Sequence, residues 1–190
     1  MTSIQLYWFL LASGWVLLEI FIVIKTRVSC LLMDQQKYRS EHLIWLVVTI
    51  SLILALIIKQ LHFAGIPIDY VKRQYIAFIL FSLGLLIRFY AVLSLGGFFS
   101  TTAMTRPQHV LIEYGPYKWV RHPAYTGLLI SFFASGLAMG DALALLILIV
   151  PVTYVLNQRI HVEEQGLIDY FGPVYYDYCL RTKKLLPWLY

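Results

Sequence analysis

Residues 115–127 read GPYKWVRHPAYTG, a polar and turn-rich stretch that leads into a long apolar region at 124–156. A second charged segment, RIHVEE at 159–164, follows that apolar region. Polar residues that a membrane protein buries among its apolar spans are costly unless a ligand or a partner group stabilises them. The two charged segments are therefore the first candidates for a functional site.

The composition indicates an integral membrane protein. Of the 190 residues, 60% are hydrophobic and 13% are charged, whereas an ordinary soluble domain has about 45–50% apolar and about 25% charged residues. The net charge of +5 is interpreted as membrane topology and headgroup contact, not as nucleic-acid binding. Cys30 and Cys179, the two cysteines, fit no disulfide or metal-binding framework.

Apolar runs predict an all-α membrane protein with about five transmembrane helices in a single domain. Gly136, Gly140 and Asp141 interrupt the last run, so we expect a tight hairpin of two short helices there. A cytosolic cofactor loop is predicted at 96–123, and an amphipathic C-terminal helix at 161–190 is interrupted at Gly172. The predicted spans are 4–24, 43–63, 75–95, 124–139 and 142–160.

Basic residues predict the orientation, because positively charged residues are enriched in cytoplasmic loops. Lys59, Lys72 and Arg73 lie on one side of the predicted membrane. The N-terminus is therefore predicted outside, and the C-terminus and both charged segments in the cytoplasm. The more numerous basic residues that define the cytoplasmic side are Lys25, Arg27, Lys37, Arg39, Arg106, Lys118, Arg121, Arg159, Arg181, Lys183 and Lys184.

The first charged segment places Arg121, His122 and Tyr125 at a helix start. Pro123 disfavours helix at the residue before it and suits the first helical position. A helix N-terminus offers backbone N–H groups and a positive dipole end, which suit a carboxylate or phosphate. The simpler interpretation is that Arg121 contacts lipid headgroups and His122 caps the helix.

The second charged segment places Arg159 and Glu163 on one helix face, because they are four residues apart. Glu164 lies about 100° further round the helix, so we expect one carboxylate to face inward and the other to face solvent. An exposed, salt-bridged helix end is the simpler interpretation. Arginine and glutamate that leave a membrane span beside another polar segment favour a site.

Two further pairs of polar residues are candidates for structural or functional roles. Glu19 and Arg88 lie inside apolar runs and either pair with each other or face a cavity. His109 and His161 have no cysteine or carboxylate at ligand spacing, so no metal site is expected. The sequence contains no GxGxxG, P-loop or GxSxG motif.

The last ninety or so residues resemble the isoprenylcysteine carboxyl methyltransferases, as a compact member of the prokaryotic type. The resemblance rests on the order and spacing of two groups of residues, whereas the first three spans match only in hydropathy. The first group lies between His109 and Gly127, and the second between Arg159 and Pro187. Their matching residues are Leu111, Ile112, Gly115, Tyr117, Arg121, His122, Pro123, Tyr125 and Gly127, then Arg159, Glu163, Glu164, Leu167, Phe171, Gly172, Tyr175, Tyr178 and Pro187.

The resemblance implies a membrane methyltransferase that uses S-adenosyl-L-methionine. Arg159 would be the catalytic, substrate-binding residue that engages the substrate carboxylate. His122 and the helix start would hold the methionyl carboxylate, and Glu163 would accept hydrogen bonds from the amino group or ribose. The residues implied at the cofactor site are His109, Val110, Leu111, Ile112, Tyr117, His122, Pro123, Ala124, Tyr125 and Glu163.

The implied reaction is attack of a carboxylate oxygen on the sulfonium methyl group. A carboxylate is already ionised at neutral pH and needs alignment and partial desolvation, not a general base. The acceptor would be a lipophilic small molecule or lipidated cysteine that enters from the membrane, and it could also be a phenol or a thiol. The oligomeric state stays open.

Three rival interpretations remain. A phospholipid N-methyltransferase shares the cofactor, but its amine acceptor would gain little from Arg159. An NADPH-dependent sterol reductase usually has asparagine where this chain has Ala124 and an acidic residue soon after Gly127, where Leu128 and Leu129 stand here. A non-catalytic membrane scaffold would bind neither cofactor.

Overall fold

The computed structural model describes residues 3–27, 35–95 and 111–186. Within these residues the chain is helical and contains no strand, which confirms the predicted all-α class. A short 3₁₀ helix, Gly115–Lys118, precedes the fourth α-helix. The α-helices are α1 (Ser3–Arg27), α2 (Gln35–Leu61), α3 (Tyr70–Leu95), α4 (Pro123–Met139), α5 (Ala142–Phe171) and α6 (Pro173–Arg181).

Four helices, α1, α2, α3 and α5, are long and apolar enough to cross a membrane, and α4 is a shorter apolar helix. Helices of this number, length and composition are those of a multi-pass integral membrane protein. With 30 residues, α5 is about 45 Å long, against about 30 Å for the hydrocarbon core of a bilayer. α5 is therefore longer than a single span requires, and its charged segment, 159–164, lies in its second half.

The prediction that a separate C-terminal helix begins at residue 161 is wrong. Residues 161–171 continue α5, because Gly166 is the single helix-weakening residue among them and a lone glycine is tolerated. The break comes at Gly172, which has a positive φ of 55° that glycine adopts easily. Pro173 then takes the first position of α6, where its missing N–H costs nothing.

Close packing of α3 against α4 sets the position of the first charged segment. A Cβ on Gly127 would lie 2.5 Å from the Gly84 carbonyl oxygen and 2.8 Å from the Arg88 backbone nitrogen. Glycines at this crossing let the two backbones touch, as small residues do in membrane helix pairs. The glycine that ends RHPAYTG is thus a packing residue that holds α4 against α3.

The second large contact packs α5 against α2 and α4. Its fully buried residues on α5 are Ala144, Leu148, Val152 and Leu156. They form one apolar cluster with Val48 and Ala55 of α2 and with Leu128 and Phe132 of α4. This core lies between the two ends of α5 and separates the polar groups found at each end.

Glu19 and Arg88 pair with each other, which decides between the two alternatives left open by the sequence. Arg88 donates from Nε to Glu19 Oε1 at 2.7 Å and from Nη2 to Glu19 Oε2 at 2.9 Å. Both residues are 8% exposed. The pair joins α1 to α3 inside the apolar part of the protein.

Candidate active site

Glu163 lies at the centre of the candidate site. Arg159 Nε donates to Glu163 Oε1 at 2.8 Å, and the Tyr125 hydroxyl donates to the same oxygen at 2.7 Å. The Arg159 side chain is 2% exposed, whereas that of Glu163 is 19% exposed. A buried arginine thus stands behind a carboxylate that a ligand can still reach.

His122 lies between the two neighbouring carboxylates. Its Nδ1 is 3.8 Å from Glu163 Oε2, and its Nε2 is 3.4 Å from Glu164 Oε1. The ring stacks on Tyr125 with a centroid distance of 5.9 Å. Glu163, His122 and Glu164 therefore form a continuous polar chain from α5 to the residue that precedes α4.

Glu164 is the inward-facing member of the two neighbouring carboxylates, and Glu163 is the more exposed one, with 19% of its side chain accessible. Glu164 Oε1 accepts a hydrogen bond from Arg121 Nε at 2.7 Å, and its Oε2 lies 3.4 Å from Lys184 Nζ. The residue is 8% exposed. The 100° step from Glu163 to Glu164 turns the second carboxylate towards the chain that follows α6, which covers this side of α5.

The segment after α6 is attached to the RHPAYTG motif by backbone hydrogen bonds. Arg121 N donates to Lys183 O at 2.8 Å, and His122 N donates to Lys184 O at 3.0 Å. Thr126 Oγ1 donates to Leu185 O at 2.7 Å. The backbone N–H of His122 is therefore committed to the C-terminal segment.

Arg121 also holds the end of α6. Its Nη1 donates to Thr182 O at 2.5 Å and to Cys179 O at 3.2 Å, while its Nε is bonded to Glu164. Arginine thus satisfies carbonyls at a helix C-terminus, which lack partners within the helix. Neither headgroup contact nor ligand binding is needed to explain Arg121.

An apolar wall lies beside the polar chain. Ile112, Tyr117 and Ala91 form a buried cluster against which Ala124 packs. The Tyr117 hydroxyl donates to Ala91 O at 3.4 Å, and the Tyr178 hydroxyl donates to Tyr117 O at 2.7 Å. Burial raises the pKa of both phenols, so both stay neutral hydroxyls at physiological pH.

The structure brings together most of the residues that the resemblance implied. Leu111 is half-buried at the start of the described segment, and Pro123 is fully buried. His109 and Val110 lie outside the described residues. Residues that join in one region of the fold are Ile112, Tyr117, His122, Pro123, Ala124, Tyr125, Arg159 and Glu163.

Sequence reasoning missed three contributors to this region: Glu164 as a buried acceptor, Lys184 as its second cation, and the Thr126 hydroxyl. The contacts of Lys184 and Thr126 cross from α4 or α5 to the chain after α6. The useful signal was the run of cations after α6, which the sequence analysis assigned only to topology.

Fold and site together define a class of protein. It is an all-α membrane protein whose site of Arg, Glu, Tyr and His side chains lies beside the membrane boundary. Residues 76–169 match the family model "Isoprenylcysteine carboxyl methyltransferase (ICMT) family". The chain belongs to this family.

Individual relatives agree with the family match. Over 109 residues the chain is 34% identical to the protein-S-isoprenylcysteine O-methyltransferase of Saccharomyces cerevisiae, a match over 56% of this chain and 46% of that protein. Over 72 residues it is 40% identical to methanethiol S-methyltransferase 1 of Bradyrhizobium diazoefficiens, a match over 38% of this chain and 24% of that protein. The chain thus spans less than half the length of either relative.

A solved structure has the same fold. The eukaryotic intramembrane Ras methyltransferase ICMT superposes with a TM-score of 0.57, over 84% of this chain and 55% of that chain. The sequence identity is 22%. This likeness concerns the fold.

Proposed function

We propose that this protein is a membrane methyltransferase that transfers a methyl group from S-adenosyl-L-methionine to the carboxylate of a lipophilic, isoprenylcysteine-like acceptor. One observation carries the proposal: a buried Arg159 and a partly exposed Glu163 share a hydrogen bond where α5 leaves the membrane. Ionisable residues inside or at the end of membrane spans often mark substrate sites. The proposed single catalytic domain comprises all the helices.

The chemistry of the site fits this cofactor. Glu163 offers carboxylate oxygens to an amino group or to a ribose hydroxyl group of the cofactor. His122, whose Nδ1 is 3.8 Å from Glu163 Oε2, is placed to bind the carboxylate of the cofactor. Ile112 and Tyr117 supply an apolar surface for a purine ring. When bound, S-adenosyl-L-methionine supplies an electrophilic methyl group on a sulfonium.

The protein's own part in the reaction is to orient and desolvate the acceptor. The buried positive charge of Arg159 would attract one oxygen of the acceptor carboxylate and leave the other oxygen directed at the methyl group. Tyr125 and Glu163 hold Arg159 in place through their shared hydrogen bonds. Water is excluded by the buried residues around Arg159, which strengthens its charge interactions.

The proposed orientation places the N-terminus outside and the C-terminus and site in the cytoplasm. It rests on the excess of basic residues after the first, third and fifth predicted spans. Gly65, in the connection between α2 and α3, pairs with Asp141, in the connection between α4 and α5. Val120, which precedes α4, pairs with Lys183, which follows α6. The connections therefore meet in two separate polar regions. The lipid part of the acceptor would approach from the bilayer, and the cofactor from the cytosol.

The first test is binding of S-adenosylhomocysteine and NADPH to the protein purified in detergent, with Glu163→Gln as the control variant. We expect S-adenosylhomocysteine to bind with a micromolar Kd that rises at least tenfold in the variant, about 1.4 kcal/mol. Binding of NADPH instead would identify a reductase, and binding of neither would favour a scaffold.

A second candidate is a thiol acceptor, which the match to methanethiol S-methyltransferase 1 favours. A thiolate, like a carboxylate, is an anion that Arg159 can attract, but a thiol must first lose its proton because its pKa is about 8.5. Transfer of labelled methyl to a farnesylated cysteine and to an alkane thiol, measured from pH 6 to 9, separates the two. A thiol acceptor predicts a rate that rises with pH.

A further inference from the structure

Two polar links join α3 to both α1 and α4, one near each end of α3. At one end Trp8 Nε1 donates to Gln74 Oε1 at 2.6 Å, and Gln74 Nε2 donates to Ala138 O at 3.0 Å. At the other end Arg88 binds Glu19, and its Nη1 donates to Ala124 O at 3.1 Å. In each link a side chain of α3 binds a side chain of α1 and a backbone carbonyl of α4. The two links lie about 21 Å apart along α3.

The two links differ in charge. Gln74 tethers the three helices with a neutral amide, whereas Arg88 and Glu19 bury two opposite charges for the same contact. Burying such a pair costs desolvation energy that its attraction need not repay, and apolar replacements are often as stable. The ion pair is therefore not required to tether the three helices. Its role is better explained by the group on α4 that Arg88 binds.

That group is the carbonyl of Ala124 in the first turn of α4. The preceding His122 contacts both carboxylates of the site, and the following Tyr125 donates to Glu163. The close approach of Gly127 to the Arg88 backbone leaves no space between this turn and α3. Arg88 thus fixes the short stretch of chain from which two site side chains project.

We propose that Arg88 is a positioning residue for the site, and that Glu19 on α1 holds its guanidinium against the Ala124 carbonyl. Arg88 can serve both neighbours because Nε and Nη2 are bonded to Glu19 while Nη1 is bonded to Ala124. Lysine has no planar fork and cannot reproduce this arrangement. The first helix is thereby connected to the site through α3.

The test compares Arg88→Leu with Gln74→Leu, which removes the matching link at the other end of the same helices. Each protein carries 3-fluorotyrosine at position 125, and its ¹⁹F resonance is recorded without ligand. We expect the resonance to shift and broaden in Arg88→Leu and to stay unchanged in Gln74→Leu. Circular dichroism and gel filtration confirm that both variants are folded.

Affinity for S-adenosylhomocysteine is the second readout, and this arm alone rests on the proposed function. We expect Kd to rise about tenfold or more in Arg88→Leu, since small displacements of positioning groups have effects of this size or larger, and to change less than twofold in Gln74→Leu. Arg88→Lys should not restore the wild-type value.

Equal effects of the two leucine variants on the resonance would overturn the proposal, because Arg88 would then act only as a tether. Should Arg88→Leu not fold, Glu19→Gln provides the same comparison, since it keeps the side-chain shape and removes the charge. An unshifted resonance in that variant would also overturn it. Failure of the wild-type protein to bind S-adenosylhomocysteine would contradict the proposed function, and the ¹⁹F comparison would still decide the role of Arg88.

Discussion

The two ends of α5 both carry buried acidic groups, but their partners differ. At the first end, Asp141 accepts backbone N–H bonds from Ala64 at 2.8 Å and from Ala144 at 3.0 Å. Ala142 N also donates to Ala64 O at 2.7 Å. Every one of these bonds includes a main-chain group, so this end closes the α4–α5 turn against the α2–α3 connection.

At the other end, Glu163 and Glu164 are bonded to side chains that can ionise. Arg159, Tyr125 and His122 surround Glu163, and the Glu163 side chain is still 19% exposed. Side-chain partners can exchange one hydrogen bond for another when a ligand arrives, whereas main-chain partners fixed in turns cannot. A buried acid in a membrane protein therefore indicates a site when its partners are side chains and a ligand can reach it.

The largest effect is expected when the cation at the second end of α5 is removed. Arg159→Ala should lower the rate of carboxyl methylation by about 10²–10³-fold, since preorganised charge on a reacting oxygen is worth that much. The Kd of S-adenosylhomocysteine should change much less than the rate in the same variant, because Tyr125 still donates to Glu163. Methylation of a farnesylated cysteine and ligand binding measure the two effects, and methylation that persists would show that Arg159 does not hold the acceptor.

The next effect separates the two neighbouring glutamates. Glu164→Gln should lower the free energy of unfolding by about 2–3 kcal/mol, because Arg121 loses its charged acceptor. Glu163→Gln should cost less stability, because the Glu163 side chain is more exposed and pairs with one arginine, whereas Glu164 contacts Arg121, Lys184 and His122 Nε2. It should, however, weaken binding of S-adenosylhomocysteine. Unfolding in detergent and binding are measured for both variants. The opposite ranking would place the ligand contact on Glu164.

A smaller effect tests the packing that supports the site. Gly127→Ala should destabilise the protein by about 1.5 kcal/mol, because its Cβ meets the backbone of α3 and α4 must shift. Gly166→Ala is the matched control, since a Cβ there meets nothing within 4 Å. Alanine favours helix over glycine, so the control should be neutral or stabilising. Destabilisation by Gly166→Ala would show that the cost of replacing glycine in these helices does not come from the close contact of α4 with α3.

The smallest effect belongs to the first end of α5. Asp141→Ala should cost about 1 kcal/mol, as loss of a helix N-cap does, and should leave S-adenosylhomocysteine binding unchanged. The backbone N–H of Ala64 holds the pKa of Asp141 below its ordinary value of 3.8. The contribution is therefore fully present above about pH 4 and is lost as the pH falls through the lowered value. Denaturation at pH 7 and pH 3 should show a difference between wild type and variant that shrinks at pH 3.

Local signals in the sequence located most helix boundaries. Pro123 begins α4, Gly140 and Asp141 separate α4 from α5, and Gly172 with Pro173 separates α5 from α6. These residues act through their own backbone geometry, which the sequence determines directly. The predicted fifth span ends at residue 160, whereas α5 continues for eleven residues to Phe171, because charged residues end an apolar span without ending a helix.

The sequence by itself determined that the protein crosses a membrane several times, and that Arg159 and Glu163 share a helix face. Both follow from composition and from the period of the helix, which need no knowledge of distant contacts. Only the tertiary structure decided that Glu164 is buried against Arg121, that Arg88 binds Glu19 and Ala124, and that the segment after α6 lies against RHPAYTG. These contacts join residues about 35 to 70 positions apart, and ion pairing at such separation depends on how helices pack, which no local rule specifies.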